Sequence, residues 1–221
     1  MNRLTLAQYL DHTLLKPDAT RQDIVNLVKE GQEWQTYAVC INSGWVKTAV
    51  QARDNHSNLH IASTIGFPFG QAGTPAKVAE VRYAINEGAD EIDVVWNLGM
   101  ILSGDIAAAE DDLAKVINAA GNIPVKVILE TARLTPEQMT QGAQIAVRTG
   151  AHTVKTSTGF GFSGAKREAV AILRQAVGKN VGVNASGGIK TYQDAINLIE
   201  AGATRLGLSG TIRVLSEAPQ N

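Results

Sequence analysis

The chain has 221 residues, of which 44% are hydrophobic and 19% are charged, and its 20 basic and 21 acidic residues give a formal net charge of -1. This balance argues against an electrostatic hold on nucleic acid or on a membrane surface. Cys40 is the only cysteine, which excludes an internal disulfide, and the sequence contains neither a signal-peptide pattern nor an apolar run of roughly 18 residues. We therefore expect one cytoplasmic domain over residues 1–221 that acts on small molecules.

In chain order, the sequence predicts a short helix over residues 4–10 and then repeats one pattern. A capped amphipathic helix is followed by a glycine and a short apolar strand, with typical helix starts at Thr20, Thr135 and Thr191. Three helices end in Gly-Ala directly before a strand, as short helix-to-strand loops require. Strands are predicted at residues 11–13, 38–41, 60–65, 91–95, 125–130, 153–156, 181–184 and 205–208.

Eight strand-helix units of about 28 residues each predict an α/β fold, a single-domain TIM (β/α)8 barrel with a short N-terminal helix. A doubly wound open sheet is the alternative. The barrel is favoured because side chains suited to catalysis or binding lie at the ends of nearly all the strands. An open sheet would gather such residues at one switch point.

Lys155 interrupts an otherwise apolar strand and precedes a glycine-rich turn, within residues 153–161. Strand alternation places Thr153, Lys155 and Ser157 on one face. If that face lines the barrel, burial lowers the pKa of the lysine and yields a neutral amine that attacks carbonyls to form a Schiff base. The alternative is a lysine at a strand end whose ammonium group reaches water.

Charged residues also occupy the fourth and fifth strands, where burial is costly unless the charges are paired or used in catalysis. Glu91, Asp93 and Val95 share one face, and Lys126 shares a face with Glu130. Asp93 is a candidate proton donor and acceptor, or else part of a structural ion pair. Lys126 is a possible support for catalysis, or else the structural partner of Asp93 or Glu130.

Polar residues also occur at the ends of the first two strands. Asp11 and Thr13 could hold a substrate or only a loop, and Cys40 is either a small buried residue or a neighbour of the cavity. The histidines lack the spacing of metal ligands, so no metal site is expected.

Two glycine-rich turns follow the seventh and eighth strands, where TIM barrels favour phosphate binding. The first contains Gly187 and Gly188, and the second contains Gly207, Ser209 and Gly210. Each turn precedes a predicted helix, so backbone N–H groups can approach an anion. Together the turns predict an anion site.

Seven motifs stand in a characteristic order and spacing, at residues 11–15, 39–42, 65–68, 91–95, 126–131, 154–159 and 185–188. In this arrangement they resemble the deoxyribose-phosphate aldolases, a family of class I aldolases, nearly from end to end. The resemblance implies a lyase of deoxyribose phosphate and nucleoside catabolism. Its reaction splits 2-deoxy-D-ribose 5-phosphate into acetaldehyde and glyceraldehyde 3-phosphate.

The resemblance further implies a Schiff base on Lys155, proton transfer by Asp93, phosphosugar and aldehyde substrates, no metal or organic cofactor, and a homo-oligomer, by family a dimer. Asn184 stands where the family has a second active-site lysine, and Gly210 stands where it usually has a second serine. We therefore expect this aldolase, impaired or redirected by Asn184. The alternatives are another Schiff-base aldolase or transaldolase, or a phosphosugar-binding barrel without turnover. The expected substrate-binding residues are Asp11, Thr13, Cys40, Thr156, Gly159, Gly187, Gly188, Gly207, Ser209 and Gly210.

Overall fold

The eight predicted strands are all present in the computed structural model, which describes residues 1–220. They pair in parallel, in chain order, and β1 pairs with β8 to close the barrel. The TIM barrel is thus confirmed, and the open-sheet alternative is wrong. The strands are β1 Leu10–Leu14, β2 Ala38–Asn42, β3 His60–Ile65, β4 Glu91–Val95, β5 Val125–Ile128, β6 Thr153–Lys155, β7 Gly182–Ser186 and β8 Arg205–Leu208.

Helices surround the barrel, and capping boxes at Thr20, Thr135 and Thr191 begin three of them, as predicted. Within residues 1–220 no helix combines the length and the apolar character needed to cross a bilayer. The helices are α1 Arg3–Ala7, α2 Arg21–Glu33, α3 Val46–Ala52, α4 Thr74–Asn86, α5 Leu98–Leu102, α6 Ile106–Ala120, α7 Pro136–Arg148, α8 Arg167–Val177, α9 Tyr192–Glu200 and α10 Thr211–Glu217. The single domain over residues 1–221 stays a prediction, and Asn221 lies outside the described residues.

Element ends differ from the predicted ones at several places. The N-terminal helix stops at Ala7, because Leu10 already begins β1. Strand β5 stops at Ile128, and Glu130 takes a left-handed backbone with φ of 54° before the short 3-10 turn Thr131–Arg133. Strand β7 extends two residues further than predicted, to Ser186. This extension places Ser186 beside the end of β6.

The strand register separates an apolar shell from a polar barrel interior. Val94, Val127 and Val154 point outward and are fully buried beneath the helices. The residues between them point into the barrel, because successive side chains of a strand alternate in direction. Asp93 is the register partner of Lys126, and this side of the sheet therefore carries charge.

One ion pair lies in the apolar shell, between helices α4 and α6. Lys77 Nζ is 2.8 Å from Asp112 Oδ2, and both side chains are buried. Thr74 Oγ1 donates to Asp112 Oδ1 at 2.7 Å, and Lys77 also donates to the carbonyl of Val95 at 3.4 Å. The pair therefore joins two helices to the end of β4.

We expect Asp112→Ala to lower the free energy of unfolding by about 3–5 kcal/mol, because it leaves the ammonium group of Lys77 buried without a counter-charge. The double variant Lys77→Met with Asp112→Leu removes both charges and is expected to recover most of this loss. Urea unfolding monitored by circular dichroism measures both effects. A single variant as stable as the parent would show that Lys77 finds another partner.

Candidate active site

A cavity of about 220 Å³ lies at the carboxyl ends of the strands. Lys155 lines it at the end of β6, and the loops after β1, β6, β7 and β8 supply most of its wall. The predicted residues that line this cavity are Thr13, Lys155, Gly159, Gly187, Gly188, Gly207 and Ser209. The structure therefore brings Lys155 and both glycine-rich turns around one cavity.

The amine of Lys155 is buried and ion-paired. Its side chain is 4% exposed, and Nζ lies 2.6 Å from Asp93 Oδ2. Burial alone favours the neutral amine, but the negative charge of Asp93 outweighs it and raises the pKa of Lys155 above the ordinary lysine value. Burial acts in the expected direction, but the expected net lowering of this pKa is wrong, because the sequence pattern did not place the carboxylate against the amine. In this structure the lysine is held as an ammonium ion.

Asp93 is shared between two lysines. Its Oδ2 faces Lys155, and its Oδ1 accepts a hydrogen bond from Lys126 Nζ at 2.8 Å. Burial opposes ionisation of the carboxyl group, but the two ammonium groups outweigh burial and hold the pKa of Asp93 well below its usual range. Of the two structural partners considered for Lys126, the structure shows Asp93. The carboxylate of Glu130 instead accepts hydrogen bonds from the N–H and Oγ1 of Thr158.

Lys126 is surrounded by carboxylates. Its Nζ lies 2.5 Å from Glu91 Oε2, 2.8 Å from Asp93 Oδ1 and 3.6 Å from Asp11 Oδ2. Burial opposes its charge, but Asp11, Asp93 and Glu91 together raise the pKa of Lys126 well above the ordinary value. Lys126 therefore stays protonated and presents a fixed positive charge to the carboxylate that Lys155 also contacts.

Asn184 occupies the barrel interior on β7, beside strand β6. It is the register partner of Lys155 on the neighbouring strand, and its Nδ2 donates to Asp11 Oδ2 at 2.9 Å. Its Oδ1 is buried and has no hydrogen-bond partner within residues 1–220. The position thus links β7 to β1 without adding charge.

The interior charges balance with asparagine at position 184. Three cationic side chains face three anionic ones, which leaves a formal interior charge of zero. The cations are Lys126, Lys155 and Arg205, and the anions are Asp11, Glu91 and Asp93. One more lysine would make this interior positive, and buried charges act on one another with little screening.

Glycines leave room where the cavity needs it. A Cβ atom on Gly207 would lie 3.5 Å from Lys155 Nζ, so glycine keeps the approach to the amine open. Gly187 and Gly188 have φ of 83° and 76°, values that L side chains rarely adopt. A Cβ atom on Gly164 would lie 2.1 Å from the carbonyl oxygen of Gly187, so two loops pack backbone to backbone at the cavity wall.

Other predicted residues lie beneath or beside the cavity. Cys40 is fully buried, and burial raises the pKa of its thiol to about 12, so the sulfur stays protonated 3.8 Å from Asp93 Oδ2. Thr156 turns away from the cavity, and its Oγ1 accepts from the N–H of Ser186 at 3.0 Å. Among residues 1–220, the cavity wall includes neither Thr156 nor Gly210.

No group of three or more potential metal ligands lies within residues 1–220.

Several wall residues escaped sequence reasoning as site candidates. Phe67 and Phe160 meet edge to face, with ring centroids 5.4 Å apart, and both line the cavity. Lys16 and Ser186 line it too. Position offered a usable signal for Ser186, because it lies two residues beyond Asn184 on the same strand face. Arg205 does not line the cavity and was also missed, because a basic residue at the start of a strand gives no signal of a role in the site.

Comparison with known proteins agrees with this geometry. A family model described as DeoC/LacD family aldolase matches residues 5–213. The chain is 43% identical to the deoxyribose-phosphate aldolase of Thermococcus kodakarensis over 222 residues, which cover 99% of each chain. It is also similar to the solved aldolase QR15, with a TM-score of 0.91 at 34% identity over 96% of this chain and 95% of that one. The deoxyribose phosphate aldolase of Aeropyrum pernix, described as a unique tetramer, has a TM-score of 0.87 at 31% identity over 97% and 91%.

Proposed function

We propose, from the premise that this chain belongs to the DeoC/LacD family of aldolases, that it cleaves 2-deoxy-D-ribose 5-phosphate through a Schiff base on Lys155. The enzyme is an aldehyde-lyase whose products are acetaldehyde and glyceraldehyde 3-phosphate. The observation that carries the role of Lys155 is its position: a buried amine at the wall of the cavity, 2.6 Å from a carboxylate. A lysine so placed can form and hydrolyse an imine away from bulk water.

The covalent steps follow from the position of the amine. Lys155 Nζ loses a proton, attacks carbon 1 of the open-chain aldehyde, and the carbinolamine loses water to give an iminium ion. The bond between carbons 2 and 3 then breaks, its electron pair moves toward the iminium nitrogen, and the hydroxyl group on carbon 3 loses its proton to become the new aldehyde. The enamine that remains takes a proton at carbon 2, and water releases acetaldehyde and the free lysine.

Asp93 is the proposed proton donor and acceptor for these steps. Its Oδ2 contacts Lys155, so it lies within reach of the proton that the amine loses. Lys126 on the other oxygen favours the ionised carboxylate, so Asp93 returns a proton readily once it has accepted one. Lys126 thus supports catalysis through Asp93.

The phosphate group of the substrate is proposed to bind between the two glycine-rich turns. Gly187, Gly188 and Ser209 line the same cavity as Lys155. Their backbone N–H groups and the serine hydroxyl suit a phosphate dianion, and Lys16 at the wall adds positive charge. In this arrangement the substrate phosphate lies against the glycine-rich turns and the aldehyde carbon lies at the amine of Lys155.

We expect 2-deoxy-D-ribose 5-phosphate to be cleaved with a kcat/KM at least about a hundredfold above that of 2-deoxyribose, because charge-assisted hydrogen bonds to phosphate contribute about 1.5–3 kcal/mol each. A coupled assay that measures aldehyde release tests both the activity and the preference. Equal kcat/KM for the two sugars would contradict the phosphate site. Imine formation with no turnover of either sugar would instead favour a binding barrel.

The quaternary structure is also a proposal. The family resemblance implies a homo-oligomer, by family a dimer, whereas the Aeropyrum pernix relative is described as a tetramer. We propose that residues 1–221 form one domain and that this chain assembles into a homo-oligomer. Nucleic acid and membrane are not proposed as partners, in keeping with the near-neutral charge of the chain.

A further inference from the structure

The end of the barrel opposite the cavity is closed by Arg205 at the start of β8. Its guanidinium group lies 3.3 Å from the centroid of the Tyr37 ring, and Tyr37 stacks on His60 with centroids 4.5 Å apart. Arg205 also donates to Asp11 Oδ1 at 2.9 Å and lies 3.9 Å from Glu91 Oε2. An aromatic face and two carboxylates therefore hold this cation in one place.

Glu91 connects this closed end with the reactive end of the barrel. Its Oε2 contacts Lys126 Nζ at 2.5 Å, and Lys126 contacts Asp93, which contacts Lys155. The five side chains thus alternate in charge from Arg205 to Lys155. All five lie in the barrel interior and only Arg205 is more than slightly exposed, at 17%, so a change of charge at one end is only weakly screened at the other.

We propose, on the basis that Lys155 is the Schiff-base nucleophile, that Glu91 and Arg205 are positioning residues that hold Lys126 against Asp93 and balance the charge beneath Lys155 from the closed end of the barrel. Neither residue lines the cavity. Glu91 therefore acts through its contact with Lys126, and Arg205 acts through its contacts with Asp11 and Glu91. The two residues carry opposite charges, and their removal has opposite effects. Loss of the Glu91 charge leaves the interior one unit positive, whereas loss of the Arg205 charge leaves it one unit negative.

The sign of each effect on Lys155 follows from the groups around it. A more positive interior disfavours the ammonium form of Lys155, so the neutral amine becomes available at lower pH. A more negative interior favours the ammonium form, so the neutral amine becomes available only at higher pH. The groups that face Lys155 or its carboxylate from the surrounding strands are Asp11 on β1, Cys40 on β2, Asp93 on β4, Lys126 on β5, the neutral Asn184 on β7 and Gly207 on β8.

The test is the pH dependence of imine formation with acetaldehyde, trapped by cyanoborohydride and measured as the mass increase of the intact chain. We expect Glu91→Gln to lower the pH of half-maximal trapping rate by about one unit and Arg205→Gln to raise it by about one unit. Arg205→Lys keeps the charge and is expected to restore the parental midpoint. Asp111→Asn is the matched control, because it removes a carboxylate that pairs with a lysine on the exposed surface of α6.

Two outcomes overturn the proposal: both glutamine variants shift the midpoint in the same direction, or neither shifts it more than Asp111→Asn does. If Arg205→Gln does not fold, Glu91→Gln alone decides, since an unchanged or higher midpoint contradicts the proposed charge balance. Failure of the proposed function gives a different result, because the parental chain would then show no adduct on Lys155 at any pH.

Discussion

Lys155→Met is expected to abolish reductive trapping and to lower kcat for 2-deoxy-D-ribose 5-phosphate at least about a thousandfold. The covalent route requires an amine that a carbonyl can reach, and methionine keeps the length of the side chain without providing one. The proposed binding of the substrate phosphate by the two glycine-rich turns does not depend on Lys155, so a small residual rate is compatible with this result. The measurement pairs a cleavage assay with the mass of the chain after reduction with acetaldehyde.

Lys126→Met is the matched control for this experiment, because Lys126 is the other buried lysine that contacts Asp93. The control chain is expected to keep the adduct mass, and peptide mapping should place that adduct on Lys155. An adduct on Lys126 in the parental chain would reverse the assigned roles. A parental chain without any adduct would exclude the Schiff-base route.

Asn184→Lys is expected to increase the cleavage rate at neutral pH by roughly ten- to a hundredfold. The parental rate should rise with pH, because Asp93 raises the pKa of Lys155 and the neutral amine is scarce at pH 7. Position 184 is the register partner of Lys155, about 5 Å away across the strands. A like charge at that distance and an effective dielectric constant of about 20 contributes on the order of 3 kcal/mol, or some two pKa units. Asp11 would take up part of this effect.

The measurement is a pH–rate profile of both chains, and the rising limb of Asn184→Lys should lie at lower pH. Asn184→Met is the matched control, since it fills similar space without a charge and should not shift the limb to lower pH. Superimposable profiles for the parent and Asn184→Lys would mean that Lys126 already provides the required positive charge. Asparagine in place of the family's lysine at position 184 would then have no effect on the rate, and the expected impairment of the aldolase activity would be absent.

The sequence predicted the barrel well because its signals are local. Glycine-terminated helices followed by apolar strands mark each unit, so the ends of all eight strands were predicted to within two residues. The ends were less accurate where one residue changes the backbone. Nothing in the apolar run of β5 indicates that Glu130 turns left-handed and leaves the strand.

The electrostatics of the site depend on contacts that the sequence does not display. Lys155 meets Asp93 across 62 residues of chain, and this contact reverses the direction in which burial alone would move the pKa of the lysine. Alternation placed both residues on inward faces but could not give their separation. Arg205 was missed for the same reason, because its partners Asp11 and Tyr37 lie far away in the chain.

The seam between β1 and β8 has a consequence for how the enzyme is made. Asp11 and Arg205 are 194 residues apart in the chain, yet they meet where these strands pair. During synthesis the N-terminal strands emerge first, so β1 has an unpaired edge, and Asp11 lacks its partner Arg205, until the final strand arrives. Contacts between residues so distant in sequence form late and slowly. We therefore expect catalytic competence to be acquired at the end of folding, when ring closure brings the first and last strands of the chain together.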